Sequence, residues 1–208
     1  MAMPHGNPDP VAVAILAKAP GLAKTRLAAV LGADGAAKLQ ARFIERVITT
    51  AKAAAVGPIT LWATPDRNHP VFVRAAALHG IALAEQPDGD LGARMLAAAT
   101  PGPAIVIGTD CPALSPEHLR AAANALRDGI DAAIVPVEDG GYGLIAMRHP
   151  EPVLFAGIAW STSSVMAETR YRLARLGLSW REPARLWDVD RPADLERLAR
   201  EGLAGLMA

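Results

Sequence analysis

One cysteine, Cys111, is all that the 208 residues contain, so no intrachain disulfide can form and the composition suits a reducing compartment. An excess of either charge is equally absent, because Lys plus Arg and Asp plus Glu both number 21. A protein that grips a nucleic-acid backbone carries a basic excess or a basic stripe. Neither is visible, and nucleic acid is not an expected partner. No apolar run approaches the ~20 residues that cross a bilayer. The opening "MAMPHGNPDP" has neither the basic region nor the apolar stretch of a signal peptide. The expectation is a soluble, cytoplasmic protein without membrane contact. The five histidines, at 5, 69, 79, 118 and 149, show no ligand spacing, which argues against zinc. None lies near Cys111 in sequence to activate it as a nucleophile, so that thiol reads as a small side chain in a tight loop.

What is present is apolar substance in a regular rhythm. Hydrophobic residues make up 51% of the chain and the mean hydropathy is +0.21, which suits one packed domain over 11–208 behind a flexible start at 1–10. "VAVAILAK" (11–18) is short, apolar and β-branched, as a strand buried on both faces would be. In "DGAAKLQARFIERVITTAKAAA" (34–55), Leu39, Phe43, Val47 and Ala51 recur every four residues, one stripe of an amphipathic helix, with Asp34 as its N-cap and Gly57-Pro58 closing the segment. The alternation continues with strands at 59–64, 81–86, 103–110 and 131–138. Helices are expected at about 68–79, at 91–99 and after the Ser115-Pro116 cap. "YGLIAMR" follows "DGG" too soon for a crossover helix, so it should be antiparallel or at an edge. A helix over 162–176, an extended "ARLWDVD" and a closing helix over 191–206 complete the chain. The pattern predicts an α/β fold: a three-layer α/β/α sandwich around a mostly parallel mixed sheet.

In such sheets ligands bind beyond the carboxyl ends of the strands, and four loops there carry chemistry. "KAPGLAKTRL" sets Lys18, Lys24 and Arg26 around a Pro-Gly turn, with Thr25 and helix-start N–H groups as neutral donors, which suits phosphate oxygens. It lacks Walker A spacing, and a solvated basic turn is the plain alternative. "GTDCP" places Asp110 at a strand end, where a turn or cap role competes with metal binding. Magnesium takes only one or two carboxylates plus substrate phosphates. A second acid is on offer in "WDVDRPADL", where Asp188 and Asp190 alternate along an extended segment and share a side. Capping of the last helix would use only one of them. "VEDGGYG" holds Glu138 and Asp139 beside Gly140-Gly141, a hairpin turn or a site of close ligand approach. Asp139 could orient a hydroxyl or act as a base. Trp160, beside "STSS", is either a sugar-pocket floor or core.

Taken in order, "KAPGLAKTRLAAVLG", "GDLGARM", "GTDCPAL", "EDGGYGLI", "WST" and "WDVDRPADL" resemble the DUF2064 family. These are bacterial rSAM/selenodomain-associated transferase-like proteins of the GT-A nucleotide-diphospho-sugar transferase superfamily. The likeness runs from about residue 11 to 200. Parts are also similar to 2-phospho-lactate guanylyltransferases and molybdenum-cofactor nucleotidyltransferases. The resemblance implies a GT-A, Rossmann-like domain binding a nucleoside di- or triphosphate. Lys18, Lys24, Thr25 and Arg26 would contact phosphates, while Gln86 and the "GDLG" turn (Gly89, Leu91, Gly92) would lie near base or ribose. It implies Mg2+ or Mn2+ at Asp110 with Asp188 or Asp190. Asp139, Gly140, Gly141, Tyr142 and Trp160 would line the acceptor side. The chain departs from the family pattern in a first loop about two residues shorter than "KAPxxGxxKTRL", in cysteine where serine is common in "GTDCP", and in "YGLIAM" for "YYLIGL".

The expected activity is metal-dependent transfer of a sugar from a nucleotide sugar to a small acceptor, with Lys24, Arg26, Asp110 and Asp139 carrying the chemistry. The alternatives are a nucleotidyltransferase joining an NTP to a phosphorylated acceptor, and a non-catalytic nucleotide-binding protein. Base, sugar, acceptor and oligomeric state stay open.

Overall fold

The computed structural model describes residues 9–207, so the flexible start expected over 1–10 lies, for residues 1–8, outside the described residues. The elements in order are β1 (Ala12–Lys18), α1 (Ala28–Ala54), β2 (Ile59–Thr64), α2 (Pro70–His79), β3 (Ala82–Glu85), α3 (Leu91–Ala99), β4 (Ala104–Ile107) and α4 (Pro116–Arg127). They continue with β5 (Ala132–Pro136), β6 (Tyr142–Met147), α5 (Val165–Arg175), β7 (Trp180–Arg181) and α6 (Pro192–Arg200), with short 3-10 turns at Pro152–Leu154 and Ala204–Leu206. The strands form one sheet in the order β3-β2-β1-β4-β6-β5-β7.

Three layers follow from the pleat, since successive side chains along a strand point to opposite faces. Val13, Ile15 and Ala17 of β1 join Ile105, Ile107, Val135 and Leu144 in one core beneath α1, α2 and α4. Ala14, Val106, Ile134 and Ile145 join a second core beneath α3 and α5. A smaller third cluster sits off the sheet, where Leu27, Leu39 and Phe43 meet Trp187, Val189, Leu195 and Leu198. It packs α6 and the segment before it onto α1. The fully buried Leu27 contributes about 1.5–3 kcal/mol there and pins the loop that contains Lys24 and Arg26.

β1 pairs in parallel with β2 on one side and β4 on the other. The chain winds outward through β2 and β3, then returns to place β4 at the opposite flank of β1. The loops after β1 and β4 therefore open side by side at the point where the winding reverses, which is where doubly wound sheets bind ligands.

Four details differ from the sequence expectation. Asp34 is not an N-cap: the helix starts at Ala28, and its break comes at Gly32, whose φ of 71° only glycine adopts readily. β6 is antiparallel as expected but is no edge strand, because it pairs with both β4 and β5. The edge on that side, opposite β3, is β7, which pairs with β5 and is too short to leave a periodic signal. The last helix stops at Arg200, with a 3-10 turn beyond it. No helix among the described residues is long and apolar enough to cross a membrane.

Candidate active site

The loop after β1 folds back on the sheet at Lys24, whose φ of 59° lies in the left-handed region, a conformation uncommon for a side-chain-bearing residue. The Lys24 side chain is 3% exposed and its ammonium lies 2.7 Å from Oδ1 of Asp110, whose own side chain is 54% exposed. Nζ also donates to the Val189 carbonyl. One buried cation thus joins the loop after β1, the loop after β4 and the extended segment before α6. The backbone repeats the join, since Val189 N donates to Asp110 O at 2.9 Å. Oδ1 of Asp110 also accepts from the Thr109 hydroxyl at 3.1 Å, whereas Oδ2 has no hydrogen-bond partner among the described residues.

Neither acid of "WDVD" caps α6. That work falls to Asp194, whose carboxylate accepts from Asp190 N and Arg191 N. Both acids are left for the rim, and they divide. Asp190 pairs with the Arg26 guanidinium, both side chains substantially exposed. Asp188 is half-buried, and its pKa is pushed up to about 6, first by burial and then by the charge of Asp139. Asp110 pushes the same way and Lys24 opposes it. Three carboxylates and one buried ammonium therefore share a single field, and negative charge is in surplus.

Asp139 shapes the hairpin between β5 and β6, where its Oδ1 accepts from Gly141 N at 2.8 Å. Gly140 has a φ of 94°, and a Cβ on it would stand 2.2 Å from the Ser163 carbonyl oxygen. Glycine there permits the "STSS" segment to press against the hairpin. Glu138 faces away from the rim acids, held by the two guanidinium nitrogens of Arg197 at 2.8 and 3.1 Å. Tyr142 and Trp160 meet edge to face with centroids 6.5 Å apart. Burial holds the Tyr142 phenol well above its usual pKa, and its hydroxyl reaches only the Met95 sulfur, at 3.9 Å. A Cβ on Gly92 would meet the Trp160 ring at 2.8 Å, so the indole lies flush on the first turn of α3.

Of the residues expected near base or ribose, Gln86 spends its amide nitrogen on the carbonyls of Ala17 and Trp62, at 3.2 and 2.8 Å. Gly89 takes a φ of 118° ahead of Asp90, which caps α3 by accepting from Ala93 N. Leu91 is exposed, as are Lys18 and Thr25. The structure thus joins Lys24 and Asp110 directly, with Asp188 in their field and in that of Asp139 and with Arg26 paired to Asp190. Gln86, Gly89, Leu91, Gly92, Tyr142 and Trp160 belong to neighbouring surfaces around β3, α3 and the hairpin. A cleft of about 390 Å³ lined by Arg42, Arg46, Thr49 and Leu206 contains none of these residues. Size alone does not make it the reactive site, because it lacks the converging carboxylates.

Cys111 is buried, and burial pushes its thiol up to about 12. The packing role expected from sequence holds. Sequence reasoning missed Thr109 and Gln40, which are linked to Asp110 by hydrogen bonds. Gln40 carried a legible signal, a polar residue beside Leu39 and Phe43 on the apolar stripe of α1.

The donor set at the rim is all oxygen, which suits a hard ion such as Mg2+ or Mn2+. Among the described residues no three His, Cys, Asp or Glu side chains could hold a metal by themselves. The arrangement fits an ion that takes one or two protein carboxylates and completes its shell on phosphate oxygens.

The family model described as "Uncharacterized protein conserved in bacteria (DUF2064)" matches residues 47–162, more than half of the chain. The chain belongs to the DUF2064 family. No curated protein matches it. Among solved structures, this DUF2064 chain is similar to a protein of Desulfovibrio desulfuricans G20 provisionally named a nucleotide-diphospho-sugar transferase. The TM-score is 0.78 at 28% identity, covering 95% of this chain and 96% of that one. It is also similar to a CMP:2-keto-3-deoxy-manno-octonic acid synthetase complexed with CTP, with a TM-score of 0.62, 17% identity and coverage of 95% and 99%. A third is glucosyl-3-phosphoglycerate synthase from Mycobacterium tuberculosis with Mn2+, UDP and glucosyl-3-phosphoglycerate, with a TM-score of 0.55, 13% identity and coverage of 95% and 78%. At such identities the last two speak for the fold alone. This DUF2064 member has the fold of nucleotide-sugar and nucleotidyl transferases.

Proposed function

We propose that the chain is a metal-dependent transferase that moves a sugar from a nucleoside diphosphate sugar to a small acceptor. The observation that carries this reading is the meeting of Lys24, Asp110 and the 188–190 segment where the sheet's winding reverses. The D. desulfuricans protein, similar over nearly the whole chain, supports the donor class. Asp110 and Asp188 would hold Mg2+ or Mn2+ together with phosphate oxygens. Asp190 is the less apt ligand because Arg26 already neutralises it. When bound, the ion supplies charge neutralisation on the departing diphosphate.

The chain's own residues do the rest. Lys24 and Arg26 turn from their carboxylate partners to the phosphates and stabilise the charge that builds on the leaving group, with Lys18 and Thr25 as further donors. Gln86, Gly89, Leu91 and Gly92 border the base and ribose. Asp139 accepts the acceptor's hydroxyl hydrogen bond and aims its oxygen at the sugar, on a floor made by Gly140, Gly141, Tyr142 and Trp160.

The concentration of Lys18, Lys24 and Arg26 in one connection suits a triphosphate and favours a second reading, nucleotidyl transfer with release of pyrophosphate. A thermal-shift screen of NTPs and nucleotide sugars, with and without Mn2+, tests both. The expected result is a metal-dependent shift with one nucleotide sugar, accompanied by slow release of the nucleoside diphosphate. Pyrophosphate release from an NTP selects the second reading. A shift without turnover of any candidate leaves a binding protein, and no shift at all removes the nucleotide from the site. Asp110→Asn should abolish the metal-dependent shift while leaving the ligand-free melting temperature within a few degrees.

A further inference from the structure

We infer that Gln40 is a positioning residue for Asp110, acting through the Thr109 hydroxyl. The inference rests on the reading of Asp110 as a ligand of the nucleotide-bound cation. Gln40 stands on the buried face of α1 between Leu39 and Phe43 and is 1% exposed. Its amide nitrogen lies 3.3 Å from the Lys18 carbonyl oxygen and 3.1 Å from Thr109 Oγ1. A carbonyl can only accept, so the NH2 end of the amide must face Lys18. Oε1 is then the end without a partner among the described residues. A leucine at position 40 would remove the unpaired Oε1 but would also take the donor from the Lys18 carbonyl and the Thr109 hydroxyl.

Each hydrogen of the amide has one acceptor, Lys18 O or Thr109 Oγ1. The Thr109 oxygen, having accepted from Gln40, has its single hydrogen free for Asp110 Oδ1, 3.1 Å away. Thr109 is itself buried, so the hydroxyl has no water to turn to. Oδ1 thus receives both Thr109 and Lys24, and Oδ2 is the oxygen presented outward. Gln40 also ties the end of β1 to the second residue after β4. Those are the two strands whose loops carry Lys24 and Asp110. Without the amide, the Thr109 oxygen loses the donor that fixes its position, and Asp110 loses a fixed partner that sets which oxygen it offers.

The test measures Mn2+ binding by water-proton relaxation, alone and with ADP, CDP, GDP and UDP. The proteins are the parent, Gln40→Leu, Gln40→Met, Thr109→Val, Thr109→Ser, the Gln40→Leu/Thr109→Val double variant and Asp110→Asn. Gln40→Leu and Thr109→Val should each weaken Mn2+–nucleotide binding by about 10- to 100-fold, the usual effect of removing a hydrogen-bond partner behind a metal ligand. Thr109→Ser, which keeps the hydroxyl, should bind like the parent. The double variant should be no weaker than Thr109→Val alone, because one relay is lost only once. The melting temperature of Gln40→Leu should fall by only a few degrees, because two hydrogen bonds are lost while one unpaired buried oxygen is removed. Parent-like binding by Gln40→Leu, with binding abolished in Asp110→Asn, overturns the positioning role and leaves the site intact. Additive losses in the double variant overturn it as well. Parent-like binding by Asp110→Asn overturns the reading beneath it. If neither Gln40 variant folds, Thr109→Val decides, and parent-like binding by that variant overturns the inference.

Discussion

At the scale of single residues, Lys24 has two partners that a nucleotide would ask it to leave. Its ammonium neutralises Asp110 and satisfies the Val189 carbonyl, so it competes with any cation that approaches the same carboxylate. Lys24→Met should therefore tighten the binding of Mn2+ alone, on the order of tenfold, roughly 1.4 kcal/mol. It should weaken nucleoside diphosphates by a similar factor. Titration of the metal with and without nucleotide reads the two effects separately, and a loss in both would show that Lys24 merely holds the loop. Cys111 yields an opposite kind of expectation. A buried thiol pushed to about 12 carries almost no thiolate at pH 8, so iodoacetamide should leave the folded protein unlabelled and modify it rapidly in denaturant.

At the scale of elements, α3 and the segment carrying Trp160 are fitted to one another through Gly92. A methyl group there would stand 2.4 Å from the Phe155 carbonyl oxygen and 2.8 Å from the partly buried indole, and the backbone does not yield easily. Gly92→Ala should cost about 1–3 kcal/mol and shift tryptophan emission, as followed by chemical denaturation. Elements were also where the sequence was most legible. Apolar runs and cap residues placed β2 and α3 with their observed bounds and α4 with its observed start, because those signals are local. The position of β6 between β4 and β5 was not legible, since strand order depends on contacts between distant segments. For the same reason the acids of the rim could be proposed as a group, but not the division of labour between them. That Asp190 pairs with Arg26 while Asp188 lies in the field of Asp139 depends on where 186–190 runs against the sheet. Gln40 left a legible mark beside the apolar stripe of α1, but its partner Thr109 lies 69 residues away, so the sequence could not show what it holds.

At the scale of the whole molecule, Asp131 gathers the far end of the sheet. Its carboxylate accepts from Ser179 N and Oγ at 2.9 and 2.7 Å and from Arg148 at 3.1 Å, which links β5, β6 and the approach to β7. These donors, Ser179 foremost, hold its pKa below the ordinary 3.8. The folded state therefore releases this proton more readily than the unfolded chain does. The stabilisation is complete above pH 3.8 and is lost as pH falls below it. Asp131→Ala should cost about 1 kcal/mol at neutral pH, discounted for solvent screening. The difference from the parent should shrink steadily in acid, as urea midpoints across pH 2–7 would show.

The segment 186–190 reaches the sheet through a bridge from Leu186 to Val137, a hydrogen bond from Val189 N to Asp110 O and the Lys24 clasp. Every partner in that stitch is translated long before the segment itself. A nascent chain halted at residue 180 would already contain β1 to β6 yet lack Asp188 and the Val189 carbonyl that Lys24 bonds. On the proposed reading, capture of a nucleotide is a late event in biosynthesis, and a ribosome-bound intermediate should be blind to it until 186–190 has cleared the exit tunnel.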